Sequence, residues 1–279
     1  MNPVYIVDSI RTPRARANQK GGLSQLNPYE LLDVLYKDIE QKNFLNLNSI
    51  DEVILGCVTQ HGEQAGNIAK TSALYSGYPD SISGLTVNRF CSSSLDAINL
   101  GQLKIQSQQA DNVIAGGIEM MSRVPMLSDE AAIWNDINIA GQAKIFLMGS
   151  GADLIASLFN ISRHDADMQA LKSQQKALNA QKNDHFKSIV PVVNKSKSIH
   201  CAHDECIRSD TTLESLALLT PSFKELGEQG VDQAQLNLFP TLKEISHVHT
   251  AGNSPAMADA ASMTLLSNKK MQDDGQKAR

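Results

Sequence analysis

Cys91 lies in the run Val87-Asn88-Arg89-Phe90-Cys91-Ser92-Ser93-Ser94, where a β-prone stretch (Leu85, Thr86, Val87) gives way to a helical pattern. Leu95, Ala97, Ile98 and Ile105 then fall near one helical face. A cysteine at such a junction stands at the start of a helix, where unpaired backbone N–H groups and the helix dipole favour a negative sulfur. The thiolate is the nucleophilic form of cysteine, so the position suits covalent catalysis. A second reading stays open on these residues alone, because a free cysteine is also a small apolar residue that fills a core.

A second constellation is His200-Cys201-Ala202-His203-Asp204-Glu205-Cys206, with four zinc-type His and Cys ligands inside seven residues. Finger-type sites separate their ligand pairs by about a dozen residues or more, so no metal is expected here. The four cysteines (Cys57, Cys91, Cys201 and Cys206) are too few for a disulfide framework in a chain of 279 residues.

Such residues need a scaffold. A chain that is 42% hydrophobic and 20% charged can bury a core of one large domain or two ordinary ones. The net charge of −5 gives no basic footprint for nucleic acid. An anionic ligand would therefore depend on local Lys, Arg or helix N-termini. No run approaches the ~18 apolar residues of a membrane span, and Met1 to Ile10 lacks a signal-peptide pattern, so a cytoplasmic protein is expected.

Strand signals at Val4–Ile10, Val53–Val58, Leu85–Phe90 and Val113–Ala115 alternate with helix signals at Pro28–Gln41, Asn67–Tyr75 and Cys91–Gln109. In the first helix, Pro28 suits the opening turn, and Leu31, Leu32, Leu35 and Ile39 form one stripe. The alternation predicts an α/β fold, a mostly parallel sheet covered by helices on both faces. After Met121 the pattern becomes helical and polar. Helices are expected at Ala152–Phe159 and at Ser162–Asn179, the latter with Ser162 as cap and Asp165 three residues on. A loop-like stretch at 195–210 and a short helix at Thr211–Leu219 follow. The predicted organisation is a core over 1–118, an inserted, mainly helical domain over 119–246, a return to the core at 247–267 and a polar tail at 268–279. The return reads as a turn at Thr250–Ser254, a small-residue helix at Ala256–Ala261 and a strand at Met263–Leu266.

Six segments, in order, resemble the thiolase family, the acetyl-CoA acyltransferases or 3-ketoacyl-CoA thiolases. They are Ile10-Arg11-Thr12-Pro13, Gly62-Glu63-Gln64-Ala65-Gly66-Asn67, the Cys91 run, Ala115-Gly116-Gly117-Ile118-Glu119-Met120-Met121-Ser122-Arg123, Arg208-Ser209-Asp210-Thr211-Thr212-Leu213-Glu214 and Thr250-Ala251-Gly252-Asn253. Met148-Gly149 adds to the match. The resemblance implies the N-terminal half of a thiolase with its inserted loop domain, 119–246, covering the substrate. It implies Cys91 as the nucleophile that takes an acyl group from a 3-ketoacyl-CoA. Met148 would line the pocket, and Ala251 and Ser254 would lie in the stretch that touches pantetheine. For Ala251 and Ser254 a plain tight turn is the competing reading. CoA and acyl-CoA would be substrates, with no resident cofactor, in fatty-acid or lipid metabolism. The partner would be a second copy or a C-terminal thiolase half.

Departures from the family pattern are Ser94, Cys206 and Ala260 where glycine is usual, Pro255 where a CoA-contacting serine is usual, and Thr220 where a basic residue is common. The family's second half carries a histidine in a Gly-His-Pro run and a cysteine in a Cys-x-Gly-Gly-Gly run, and neither occurs in these 279 residues. A truncated thiolase that needs its other half is therefore expected. An inactive remnant that at most binds acyl-CoA is the alternative, and an α/β binding protein with a structural Cys91 is a third.

Overall fold

The computed structural model describes residues 3–43 and 45–269. The chain divides into two compact units, the first taking residues up to 129, 186–206 and those from 257 on, the second 130–185 and 207–256.

The first unit runs β1 (Tyr5–Arg11), β2 (Ala15–Arg16), α1 (Pro28–Asn43), β3 (Glu52–Gly56), α2 (Ile68–Tyr75), β4 (Ser83–Val87), α3 (Ser93–Gln106) and β5 (Asn112–Met120). It is completed by a hairpin of β6 (Val192–Asn194) and β7 (Ile199–Cys201) and by β8 (Ala258–Ser267). The main sheet has the order β1-β8-β5-β3-β4, with β2 also on β8. β3 is parallel to β4 and β5, whereas β8 is antiparallel to β5, β1 and β2. β8 is thus the one reversed strand, and the sheet is mostly parallel.

Every residue of β3 is buried. Its side chains alternate between faces as a strand requires: Val53 and Leu55 join the core under α1 and α2, and Ile54 joins the core under α3. In α1 the stripe Leu31, Leu32, Leu35 and Ile39 is fully buried, and burying each such side chain contributes about 1.5–3 kcal/mol. A reciprocal cap opens this helix, Asn27 Oδ1 accepting from the Glu30 N–H and Glu30 accepting from the Asn27 N–H, each at 2.9 Å.

Three expectations need correction. The α3 stripe is Ala97, Gly101 and Ile105, not one that includes Leu95, which is 60% exposed. Small residues let α3 lie close to the sheet, with Gly101 pressed against Val113 and Leu266. The helix expected at Ala256–Ala261 is instead the first part of β8, paired with β5 from Asp259 to Ser267. Pairing along the whole strand overrides the helix propensity of its alanines. The insertion expected over 119–246 is also interrupted, since 186–206 belongs to the first unit. Val190, Val192, Ile199 and Cys201 enter that unit's core. Asp204 binds Arg11 through both carboxylate oxygens at 2.8 and 2.9 Å and accepts from the Arg14 N–H at 2.8 Å. Of the polar tail expected at 268–279, residues from 270 on lie outside the described residues.

The second unit comprises α4 (Ala132–Asn135), α5 (Ile137–Ala143), α6 (Met148–Phe159), α7 (Arg163–Lys182), α8 (Leu213–Ala217), α9 (Lys224–Leu226) and α10 (Asp232–Leu238). Ser162 and Asp165 form the capping box expected of them at the start of α7. Among the described residues, no helix is long and apolar enough to cross a membrane.

Candidate active site

Cys91 occupies the turn between β4 and α3, ahead of the N-cap residue Ser92. The helix begins at Ser93, two residues later than the sequence pattern suggests, because Phe90 takes a left-handed conformation (φ 47°) and breaks the regular backbone before it. The Ser93 side chain ties the turn together: its Oγ accepts from the Arg89 N–H at 2.8 Å and donates to the Phe90 carbonyl at 2.6 Å. Arg89 in turn pairs with Asp96 on the first turns of α3.

The sheet beneath is shaped for this turn. Gly56 on β3 and Gly117 on β5 are paired neighbours. A Cβ on Gly56 would strike the backbone of Ser93 and Ser94, and one on Gly117 would strike Ser94 Oγ. Two adjacent glycines therefore let the start of α3 sink onto the strands. Ser94, where the family usually has glycine, lies inside α3 and is absent from the positive-φ residues, so its conformation places no demand for glycine.

The cysteines differ in setting. Cys91 is exposed, Cys206 is half-buried, and Cys57 and Cys201 are buried. Burial, reinforced by the charge of Glu119, pushes the Cys57 thiol up to about 12. Burial followed by Glu205 and Asp204 pushes Cys201 up to about 11. Burial also raises Cys206. In the His200–Cys206 segment, Asp204 is engaged with Arg11 and Arg14, while Glu205 accepts from the N–H groups of Arg16 and Gly22.

The other expected site residues belong to the second unit. Met148 opens α6 and is 67% exposed. Next to it, the ring of Phe223 covers Gly149 so closely that a Cβ there would collide with it. Ala251 and Ser254 share one tight turn. Asn253 Oδ1 accepts from the Thr250 N–H at 2.8 Å, and Asn253 Nδ2 donates to Asp167 at 2.8 Å and to the Val248 carbonyl at 3.0 Å. Arg208 donates to the carbonyls of Ala251 and Gly252 at 3.1 and 3.0 Å.

Several residues that build these sites escaped the sequence reading. Asp153, buried in α6, accepts from the N–H groups of Val248 and His249, each at 3.1 Å, and binds both imidazoles, His247 at 3.0 Å and His249 at 2.7 Å. His247 reaches Asp232 with its other nitrogen at 3.0 Å. In the first unit, Gln64, Asn88 and Glu119 bond the loop after β3 and the Cys91 turn. Gln64 and Glu119 stand in segments that carry the resemblance, but they bond each other across 55 positions and otherwise mostly backbone atoms, which leave no pattern in a sequence.

Among curated proteins, the chain is 34% identical to a 3-oxoadipyl-CoA/3-oxo-5,6-dehydrosuberyl-CoA thiolase of Escherichia coli (strain K12), over 97% of this chain and 67% of that protein. It is 35% identical to a beta-ketoadipyl-CoA thiolase of Pseudomonas knackmussii, over 99% of this chain and 69% of that protein. It is likewise 35% identical to a 3-ketoacyl-CoA thiolase of Colwellia psychrerythraea, over 95% of this chain and 65% of that protein. The chain thus spans about two thirds of the length of these relatives. Among solved structures, the Bacillus anthracis acetyl-CoA acetyltransferase superposes with a TM-score of 0.75 at 28% identity, over 96% of this chain and 66% of that one. Residues 4–234 match the N-terminal domain of thiolase, and with the fold agreeing over nearly its whole length, the chain belongs to the thiolase family.

Proposed function

We propose that the chain carries the nucleophile of a thiolase-type acyl-CoA C-acyltransferase, which moves an acyl group between a 3-ketoacyl-CoA and CoA. The observation that supports this most is the contrast among the cysteines, with Cys91 exposed on the turn before α3 while Cys57 and Cys201 are buried.

In this reading the Cys91 thiolate adds to the keto carbon, and the bond between that carbon and the α-carbon then breaks. The acyl group stays on sulfur as a thioester, and the two-carbon fragment takes a proton and leaves as acetyl-CoA. The thiol of a second CoA gives up its proton and attacks the thioester, which releases the shortened acyl-CoA and frees Cys91. A thioester forms readily and is readily opened by another thiol, which is why sulfur suits the step. Backbone N–H groups at the start of α3 would stabilise the oxyanion. Met148, Ala251 and Ser254 would contact the CoA arm and acyl tail. CoA and acyl-CoA enter as substrates, so no resident cofactor is invoked. The setting would be cytoplasmic fatty-acid or lipid metabolism.

No histidine here precedes proline, and no Cys-x-Gly-Gly-Gly run occurs. The base for Cys91 and the acid for the α-carbon would come from a C-terminal thiolase half. Lacking that base lowers the rate by about 10²–10⁴ or more. Thiolysis of acetoacetyl-CoA should be undetectable with this chain alone. It should appear when a thiolase C-terminal half is added, and vanish again with Cys91→Ser. Full activity of the Cys91→Ser mixture would sink the nucleophile assignment. Pro255 and Thr220 replace residues that would contact CoA, which favours a second reading, an inactive remnant that at most binds acyl-CoA. Acyl-CoA binding with no thiolysis in the mixture would decide for it.

A further inference from the structure

The turn that carries Cys91 is fastened to the sheet by a chain of polar groups. Glu119, at the end of β5, accepts from the Val58 N–H at 2.9 Å, the Thr59 N–H at 3.4 Å and Gln64 Nε2 at 2.7 Å. Gln64 is fully buried. Its Nε2 also donates to the Thr59 carbonyl at 2.9 Å, and its Oε1 accepts from the Met120 N–H at 2.7 Å. The loop after β3 is therefore gripped from both sides. The Val58 carbonyl then accepts from Asn88 Nδ2 at 3.0 Å, while Asn88 Oδ1 accepts from the Phe90 N–H at 2.9 Å. Both ends of one amide are thus engaged, one on the anchored loop and one on the residue just before Cys91.

Phe90 is the strained link. A left-handed φ of 47° is unfavourable for a residue with a Cβ unless its surroundings hold it. An Asn side chain bonded to the N–H two residues on is a local device that holds such a turn. We propose that Asn88 is a positioning residue for Cys91: its amide holds Phe90 left-handed and registers the nucleophile against the loop fixed by Glu119 and Gln64. This rests on the reading of Cys91 as nucleophile. It also explains how an exposed residue such as Asn88 can matter without touching substrate.

The test is the rate at which iodoacetamide alkylates each cysteine of the full chain, followed by mass spectrometry, with Cys206 as internal control. In the unaltered chain Cys91 should react faster than Cys57. Asn88→Ala should slow Cys91 about fivefold to tenfold, in keeping with the loss of one well-made hydrogen bond at each end, and leave Cys206 unchanged. Asn88→Ser keeps an acceptor for the Phe90 N–H but is too short for the Val58 carbonyl, so its rate should fall between the two. A merely structural role would not produce that partial rescue. If circular dichroism shows Asn88→Ala unfolded, Asn88→Ser decides. A Cys91 rate equal to that of the unaltered chain in whichever variant decides overturns the positioning role alone. A Cys91 no faster than Cys57 in the unaltered chain overturns the nucleophile reading and this inference with it.

Discussion

Gly56 and Gly117 show how much a missing atom can decide. Their hydrogens leave the slot into which Ser93 and Ser94 settle, and Cys91 stands three residues before Ser94. Gly117→Ala would overpack that slot, which typically costs about 1–3 kcal/mol. Most of the clash is with Ser94 Oγ, so adding Ser94→Ala should recover part of the loss. Urea denaturation of the two variants measures this, and a double variant no more stable than Gly117→Ala would refute the slot. At this scale the sequence was legible where chemistry coincided with a change of pattern: Cys91 stood out because a β-prone run met a helical one. Asn88 and Glu119 did not stand out. Both reach the main chain of Val58, 30 and 61 positions away, and a main-chain partner leaves no mark in a sequence.

Between elements, the segment joining α10 to β8 is clasped by α6 through Asp153. His247 is the titrating part of that clasp. Burial disfavours its charged form, but bonds to Asp153 on α6 and Asp232 on α10 outweigh this and raise its pKa above the ordinary value. His249 binds the same Asp153. A raised folded-state pKa means that the stabilisation is complete below the unfolded value of about 6.5 and is lost as pH rises through the folded value. The thermal midpoint should therefore fall as pH is raised from about 6.5, and His247→Gln should flatten that fall. An unchanged slope in the variant would show that other groups carry the dependence. Helices with an apolar stripe or a cap, such as α1 and α7, could be read from the sequence. The first part of β8 could not, because Ala258, Ala260 and Ala261 suit a helix until β2 and β5 offer them a ladder.

Over the whole molecule, distant stretches are tied by few but buried groups. Asp204, with no exposed side-chain surface, meets Arg11 across 193 positions. Burial alone would raise its pKa, but Arg11 and Arg14 hold it below the usual carboxylate value. A depressed folded pKa gives stabilisation that is present above about 3.9 and lost as pH falls through the folded value. Asp204→Ala should destabilise the protein by about 1–3 kcal/mol, since it leaves the Arg14 N–H and the partly exposed Arg11 guanidinium without their acceptor. A denaturation midpoint unchanged at pH 7 would contradict the tie. This ion pair escaped the sequence reading, which read the segment as an ordinary loop and 119–246 as one insertion. The reversed strand has a kinetic consequence. β8 lies between β1 and β5, and Thr12 reaches its partner Ala261 only across 249 positions. On a ribosome, β3, β4 and β5 can assemble early, while β1, made before them, waits for β8, some 249 residues on, before its ladder forms. Such long-range closure slows folding and leaves the waiting strand and the open side of β5 exposed to aggregation. Newly made chains should thus be most dependent on chaperones in the interval before β8 emerges.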